Sequence, residues 1–106
     1  MRGMILGALV ALVGAAAGEQ KPDASKGNET FDEQCSSCHY ADRIDDKVGP
    51  GLKWLYSKGK LDANGKPVND ANVLGMINRG GKQMPAFKNT LTEEDKSNLL
   101  AYLKTL

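Results

Sequence analysis

Every cysteine and histidine of this 106-residue chain lies in one pentapeptide, CSSCH, at residues 35–39. Cys35, Cys38 and His39 are therefore its candidate ligands for a soft metal or a covalently attached group. A structural zinc site needs four ligands, commonly four cysteines or two cysteines and two histidines, and this chain has three. His39 also follows Cys38 directly, a poor position from which to complete the same tetrahedron. The pattern does not indicate a zinc site.

Two interpretations that use only the sulfur atoms explain the pentapeptide less well. A redox pair of the thioredoxin kind would be accompanied by a neighbouring strand pattern, which the sequence lacks. A disulfide between Cys35 and Cys38 would close almost no loop and would add little stability. Covalent haem attachment uses all three residues: the thiols add to the two vinyl groups, and the imidazole of His39 lies under the iron as the proximal ligand. We therefore predict one covalently attached haem c.

A haem iron held only by His39 would leave its opposite face open, and methionine is the candidate ligand there. Beyond residue 17 the chain has two methionines, Met76 and Met84. Met76 lies on the apolar stripe of a predicted helix, where a flexible core residue is the simpler interpretation. Met84 lies in the loop sequence GGKQMPAF, after a glycine pair and before Pro85. We predict Met84 as the second axial ligand.

The first twenty residues, MRGMILGALVALVGAAAGEQ, are typical of a secretory signal. Arg2 precedes an apolar run of about 14 residues, shorter than the roughly 20 that a membrane-spanning helix needs. Small residues at Ala15 and Ala17 predict cleavage after Ala17, which makes residues 1–17 a signal peptide and residues 18–106 one domain without a membrane span. An uncleaved anchor at the membrane surface is the alternative. Either way the domain is exported, and we predict a periplasmic location.

Three helical segments and loop-rich sequence are predicted for the domain, and strand signals are nearly absent. The first helix covers about residues 23–38. The second begins at Asp70 as N-cap and ends at the glycine pair 80–81. The third is capped by Thr92 and carries an apolar stripe up to residue 106. Glycines and prolines between them predict loop, with one short helical turn near residues 52–57.

Four motifs in this order resemble the class I c-type cytochromes, small electron carriers with one haem. The resemblance covers residues 23–106, and its motifs are Gly27 and Phe31 ahead of CSSCH, VGPGL at 48–52, QMPAF at 83–87 and LLAYLKTL at 99–106. It implies an all-α cytochrome c fold, in which three main helices and loops wrap around one covalently bound haem. It also implies that Gly27 lets the last helix approach the first closely and that Tyr102 packs at their crossing.

The same resemblance implies a ligand set. The iron would be low-spin with His39 and Met84 as axial ligands, and the carbonyl of Pro50 would accept a hydrogen bond from the other ring nitrogen of His39. The chain departs from the family at Trp54, where many relatives have glycine. Trp54 is expected either to pack on the haem edge or to be buried in the core. The stretch KGKLDANGKPVND, residues 58–70, has no equivalent and is expected either to shield the propionate edge or to be a solvated loop.

An iron with both axial positions filled can exchange an electron but has no site for a substrate. No nucleophile-and-base pair remains for a stand-alone enzyme. We therefore predict a soluble, monomeric electron carrier whose partners are redox proteins and not nucleic acids. Two alternatives stay open: a haem subunit docked in a respiratory or dehydrogenase complex, and a ligand-binding haem protein if Met84 does not bind iron.

Charge is distributed unevenly along the domain. Residues 18–46 carry three basic and eight acidic side chains, and residues 47–88 carry eight basic and two acidic ones. We predict that Lys82, Lys88 and neighbouring lysines form a basic collar around the haem edge that meets an acidic surface on the partner. The alternative is a set of scattered, solvated loop charges.

Overall fold

A computed structural model describes residues 21–106. It contains three α-helices, α1 (Ala24–Gln34), α2 (Asp70–Arg79) and α3 (Glu93–Leu103), and one short 3-10 helix (Leu55–Ser57) between α1 and α2. Within residues 21–106 the only strand-like pairing is an isolated antiparallel bridge between Lys60 and Pro67. No helix in this range is long and apolar enough to cross a membrane. The predicted all-α fold is confirmed, and the predicted signal peptide, residues 1–17, lies outside the described residues.

Helix α1 is shorter than predicted, because the CSSCH segment leaves the helix. Its N-cap is Asp23, whose carboxylate accepts hydrogen bonds from the N–H groups of Ser25 and Lys26. The helix ends at Gln34, and the N–H groups of Cys38 and His39 then both donate to the carbonyl of Cys35, at 3.1 and 3.0 Å. The pentapeptide is therefore a tight turn after the helix and not its last turn.

The other two helices begin at residues that favour N-caps. Helix α2 is capped by Asn69, whose side chain accepts from the N–H of Asn72 at 2.8 Å, so the predicted cap Asp70 is wrong by one residue. Both residue types cap well, and Asp70 instead places its charge in the first turn. Helix α3 begins as predicted at Thr92, which forms a reciprocal capping box with Asp95.

Helices α1 and α3 pack against each other at a point with no room for a side chain. A side-chain carbon built on Gly27 would collide with the backbone carbonyl of Asn98 and lie 2.8 Å from Cβ of Tyr102. One turn further along α1, the rings of Phe31 and Tyr102 are 5.5 Å apart at an angle of 54°. The side chain of Asn98 also accepts a hydrogen bond from the N–H of Asp23 at 2.8 Å. The close approach at Gly27 and the packing of Tyr102 are both confirmed.

The buried apolar side chains come from every helix and from the loop before α3. They form one cluster: Phe31, Leu55, Val73, Ile77, Phe87, Leu91, Leu99 and Leu103. One side of the cluster borders a large cavity, which is lined by Leu55, Val73, Ile77, Phe87 and Leu103. Fewer than 90 residues build this domain, so the apolar material available to fill the space is limited.

Candidate functional site

A cavity of about 840 Å³ lies between α2, the CSSCH turn and the loops on either side of α2. This volume falls within the roughly 300–1,000 Å³ of ordinary ligand and cofactor sites. Cys35, Cys38, His39 and Met84 all line it. Most of the other lining side chains are apolar: Val48, Leu52, Leu55, Leu61, Val73, Met76, Ile77, Phe87 and Leu103. All four site residues predicted from the sequence are thus brought to one apolar cavity.

His39 is oriented by a hydrogen bond to the chain. Its Nδ1 lies 2.7 Å from the carbonyl oxygen of Pro50, eleven residues further on. A carbonyl can only accept, so Nδ1 is the donor in this contact, and in the neutral imidazole Nε2 is then the nitrogen with a free lone pair. Hydrogen bonding at the far nitrogen also raises the basicity of a ligating imidazole. The contact implied by the resemblance is confirmed, and His39 is prepared to bind a metal through Nε2.

The two cysteines are half-buried and are not joined by a disulfide. Burial, assisted by the nearby thiol of Cys38, raises the pKa of Cys35 to about 11. An attacking thiol of the thioredoxin kind needs a lowered pKa, and therefore a stabilised thiolate, at neutral pH. The surroundings of Cys35 do the opposite, which disfavours the redox-pair interpretation and is compatible with attachment to a cofactor.

Met84 lies on a loop fastened at both of its ends to the end of α2. Gly80 ends that helix with φ of 70°, and a side-chain carbon there would collide with the backbone of Met84 and Pro85. The N–H of Gly81 donates to the carbonyl of Met84 at 2.9 Å, and the N–H of Phe87 returns to the carbonyl of Ile77 at 2.9 Å. The loop therefore holds the half-buried Met84 against the cavity.

Met76 lines the same cavity from α2. It is half-buried, and its terminal methyl carbon would lie 3.2 Å from a side-chain carbon built on Gly81. The two thioethers thus approach the cavity from different elements, one from a helix and one from a loop. The sequence analysis chose Met84 as the ligand on this difference between helix and loop.

Charged side chains at the cavity are mainly basic. They are Lys58, Lys66, Arg79 and Lys82, with Asp62 as the acidic one. The Nζ of Lys58 lies 3.2 Å from the carboxylate of Asp62, so these two charges offset each other. Lys82 of the predicted collar does reach the cavity rim.

Lys88, the other named residue of the collar, does not line the cavity, although its backbone has a structural role. Its carbonyl accepts a hydrogen bond at 3.0 Å from the Nζ of Lys96, a side chain of α3 that is only 5% exposed. The same Nζ contacts the carboxylate of Glu93 at 3.1 Å. A buried lysine thus joins the end of the Met84 loop to α3.

Trp54 contradicts both expectations made for it. Its side chain is 56% exposed and does not line the cavity, so it neither packs on the haem edge nor is buried in the core. Its φ of 63° lies in the left-handed region that favours glycine, and the Nζ of Lys53 lies 4.7 Å from the centre of a Trp54 ring. The glycine that many relatives have at this position indicates such a left-handed backbone, and the sequence analysis did not use it.

The stretch at 58–70 that lacked an equivalent forms a hairpin-like turn. The N–H of Leu61 donates to the carbonyl of Lys66 at 2.8 Å, and the N–H of Val68 donates to that of Gly59 at 3.0 Å. Leu61, Asp62, Ala63, Asn64 and Lys66 line the cavity. The segment therefore forms part of the cavity wall and is more than a solvated loop.

A family model described as "cytochrome c oxidase, cbb3-type, subunit III" matches residues 22–103. The chain belongs to the class I c-type cytochromes. It is 32% identical to a cytochrome c of Tetrahymena pyriformis, over 79% of this chain and 89% of that one. It is 36% identical to a cytochrome c6 of Rippkaea orientalis, over 76% of this chain and 68% of that one. A cytochrome bc1 complex cytochrome c subunit of Mycobacterium tuberculosis is 31% identical over 77% of this chain and 27% of its own length.

The fold comparison agrees. The structure of cytochrome c6 from the diatom Phaeodactylum tricornutum superposes with a TM-score of 0.62, over 78% of this chain and 92% of that chain, at 22% identity. The structural likeness shows the shared fold. The family model and the sequence relatives show that the cytochrome contains one covalently bound haem c with iron, carries electrons and is not an enzyme.

The residues of the cavity fit this cofactor. Two thiols and the free lone pair of His39 Nε2 lie along one wall, and a thioether approaches from the Met84 loop. The apolar lining suits a macrocycle, and the basic residues suit its propionates. Within residues 21–106 no group of three or more histidine, cysteine or acidic side chains is placed to bind a metal ion directly.

Proposed function

We propose that this cytochrome is a soluble, monomeric periplasmic electron carrier in which Cys35 and Cys38 attach the haem through thioethers and His39 and Met84 bind its iron. One observation supports the proposal above the others: these four side chains, from two segments 45 residues apart, line a single cavity. The hydrogen bond from His39 Nδ1 to Pro50 leaves the nitrogen that such ligation requires.

Each of these residues has a definite part in electron transfer. The haem supplies a one-electron change between ferrous and ferric iron. A thioether from Met84 and the apolar lining would favour the ferrous state, whereas the basicity that Pro50 gives to His39 favours the ferric state. With His39 and Met84 both bound to it, the iron would have no position left for oxygen or peroxide. The protein would thus limit the cofactor to outer-sphere electron exchange.

Ligation is tested by two methionine variants of the haem-loaded protein. Ligation by Met84 predicts a weak far-red sulfur-to-iron charge-transfer band in the oxidised protein. Met84→Ala should abolish this band and allow the reduced protein to bind carbon monoxide. Met76→Leu should keep the band. The reverse pattern would reassign the ligand to Met76. If both variants keep the band, neither methionine is the ligand.

The proposed location rests on the predicted export signal. Cleavage after Ala17 would leave residues 18–106 as the mature domain. Mass spectrometry of the periplasmic fraction should find a chain that begins at Gly18 and carries one haem. Recovery of the intact chain from the membrane fraction would support the anchored alternative instead.

The basic rim supports a partner with an acidic docking surface. Lys66, Arg79 and Lys82 line the cavity, and within residues 21–106 none of them has an acidic partner like the one that Lys58 has in Asp62. Opposite charge on a partner would speed encounter, and salt would screen it, since the Debye length falls from roughly 30 Å at 0.01 M to about 10 Å at 0.1 M ionic strength.

Charge reversal at the rim tests this docking surface. Lys82→Glu should slow bimolecular electron transfer with the physiological partner more than Lys21→Glu does, and the difference should disappear at high salt. Lys21 is a suitable control because it is an exposed lysine that does not line the cavity. Equal sensitivity of the two sites would argue for docking through apolar contacts.

A docked subunit is the second candidate function. The matching family model carries the description of an oxidase subunit, which favours this alternative. Gentle solubilisation of native membranes followed by size-exclusion chromatography would distinguish the two. A free carrier should elute at the size of a single domain, whereas a docked subunit should elute with a haem-containing complex.

A further inference from the structure

Gly49 lies against one corner of the His39 ring. A side-chain carbon built on Gly49 would lie 2.5 Å from Cε1 of His39, 3.0 Å from Nδ1 and 3.1 Å from Nε2. Cε1 is the ring atom between the two nitrogens, one of which donates to Pro50 and the other of which faces the iron in the proposed ligation. The backbone of residue 49 is therefore as close to the ring as packing permits.

Space, and not backbone conformation, makes glycine necessary at this position. The glycines of positive φ in the described chain are Gly59, Gly65 and Gly80, so Gly49 has a φ that other residues adopt. What an alanine would lack is room, because side-chain carbons essentially never approach other heavy atoms within 3.0 Å. The requirement at Gly49 thus arises from the imidazole itself.

The segment around Gly49 cannot easily move away from the ring. The N–H of Gly49 donates to the carbonyl of Cys38 at 2.8 Å, and its carbonyl accepts from the N–H of Lys47 at 2.9 Å. The next carbonyl, that of Pro50, accepts from the ring itself. The hydrogen bond at Nδ1 tolerates small rotations of the ring about its Cβ–Cγ bond, and the Gly49 backbone against Cε1 obstructs such a rotation on one side.

We propose that Gly49 is a positioning residue that sets the rotation of the His39 imidazole about its Cβ–Cγ bond, and through it the orientation of the ligand plane over the haem. This inference rests on the proposed ligation of the iron by His39. An added methyl group at position 49 would turn the ring or lengthen its hydrogen bond to Pro50. Either change would alter the electronic asymmetry of the ferric haem while leaving the haem attached.

The test is proton NMR of the oxidised, haem-loaded protein. The spread and order of the four haem methyl resonances depend on the orientation of the axial ligand planes. Gly49→Ala should change this pattern, and the reduction potential should rise if the hydrogen bond to Pro50 is weakened. Gly59→Ala is the matched control: it places a methyl group at an exposed glycine with φ of 90° and no neighbour within 4 Å, so it should lower stability without changing the methyl pattern.

The outcomes separate this inference from the ligand assignment. A wild-type protein without a low-spin ferric spectrum would refute ligation by His39 and Met84, and the role of Gly49 with it. A low-spin wild type whose methyl pattern is the same in Gly49→Ala, or changes equally in Gly59→Ala, would overturn the role of Gly49 alone.

A measurement on the wild type keeps the inference testable if Gly49→Ala fails to accumulate. In the reduced, diamagnetic protein the structure predicts a strong nuclear Overhauser effect between the Cε1 proton of His39 and the Cα protons of Gly49. Its presence supports the contact, and its absence from an otherwise assigned spectrum would overturn it.

Discussion

The two sides of the haem cavity hold their candidate ligands in different ways. On one side His39 is fixed by the turn that carries it, by a hydrogen bond from its own ring to Pro50 and by contact with Gly49. On the other side the loop around Met84 is fixed through backbone bonds, and the described contacts of the thioether are apolar ones. A polar ligand can be oriented by hydrogen bonds, whereas a thioether must be positioned by the shape of its loop. The Met84 side should therefore be the more easily displaced of the two.

Removal of both cysteines should have the largest effect on the His39 side of the cavity. The double variant Cys35→Ala, Cys38→Ala should release its haem completely in acid-acetone extraction and denaturing electrophoresis, whereas the wild type should retain it. Either single variant should keep one thioether and still retain haem in the denatured chain. Release of haem from the wild type would refute the assignment of both cysteines.

Gly80→Ala should be the most damaging single change to the Met84 loop. The substitution places a side chain at φ of 70° and drives it into the backbone of Met84 and Pro85. Backbone strain of this kind costs about 1–3 kcal/mol in the free energy of unfolding. We expect the far-red band to weaken while the haem stays attached. Gly65→Ala, which has the same φ and no neighbour within 4 Å, should lower stability and keep the band.

Lys96→Met should loosen the other end of this loop without touching the cavity. The variant keeps an apolar chain in the buried site but leaves the carbonyl of Lys88 without its donor, a loss of about 1–3 kcal/mol. Urea unfolding should show the destabilisation, and the far-red band should be lost at lower urea than in the wild type. Glu93→Gln is the control, since an ion pair with this exposed carboxylate adds little to the free energy of unfolding. An equal loss in both variants would attribute the effect to the ion pair.

Substitution of Asp70, which lies away from the proposed ligands, should have a smaller, pH-dependent effect on stability. Hydrogen bonds from Lys104, at 2.9 Å, and from Tyr56, at 2.8 Å, hold the pKa of this carboxyl below its usual value. A lowered pKa in the folded state adds stability above the ordinary carboxyl pKa, and this stability is lost as the pH falls through the folded value.

Asp70→Asn should therefore be less stable than the wild type at pH 7, and the two should converge below about pH 4. Thermal unfolding between pH 3 and pH 7 would measure this. The far-red band should be unchanged at pH 7, because the network does not contact the cavity side chains that we propose as ligands. A difference that is constant across this pH range would rule out the charge of Asp70 as its cause.

The sequence predicted those features that depend on local patterns. CSSCH and the cap at Thr92 have signatures within a few residues, and the structure agrees with both. The close approach at Gly27 was implied by the family resemblance and is also confirmed. The predicted first helix was too long because Gly27, Phe31 and Cys35 are spaced four residues apart, as on one face of a helix, although the chain turns at Cys35. The N-cap of α2 was predicted at Asp70 and lies at Asn69, because two good capping residues are adjacent and no local feature distinguishes them.

The remaining differences depend on tertiary contacts. Trp54 was expected in contact with haem or core because large aromatic side chains usually bury, yet its left-handed backbone leaves it exposed. Lys88 was grouped with Lys82 by its position in the sequence, but its residue joins the loop to α3 and does not line the cavity. The contact between Gly49 and His39 joins residues ten positions apart, and no periodicity in the sequence indicates it.

One urea titration of the oxidised protein tests the contrast between the two sides most directly. The far-red band reports ligation by Met84, and far-ultraviolet circular dichroism reports the helices. We expect the band to disappear at lower urea than the helical signal, while His39 stays bound to the iron. Loss of both signals in one coincident transition would contradict it, because the Met84 loop would then be as firmly held as the fold itself.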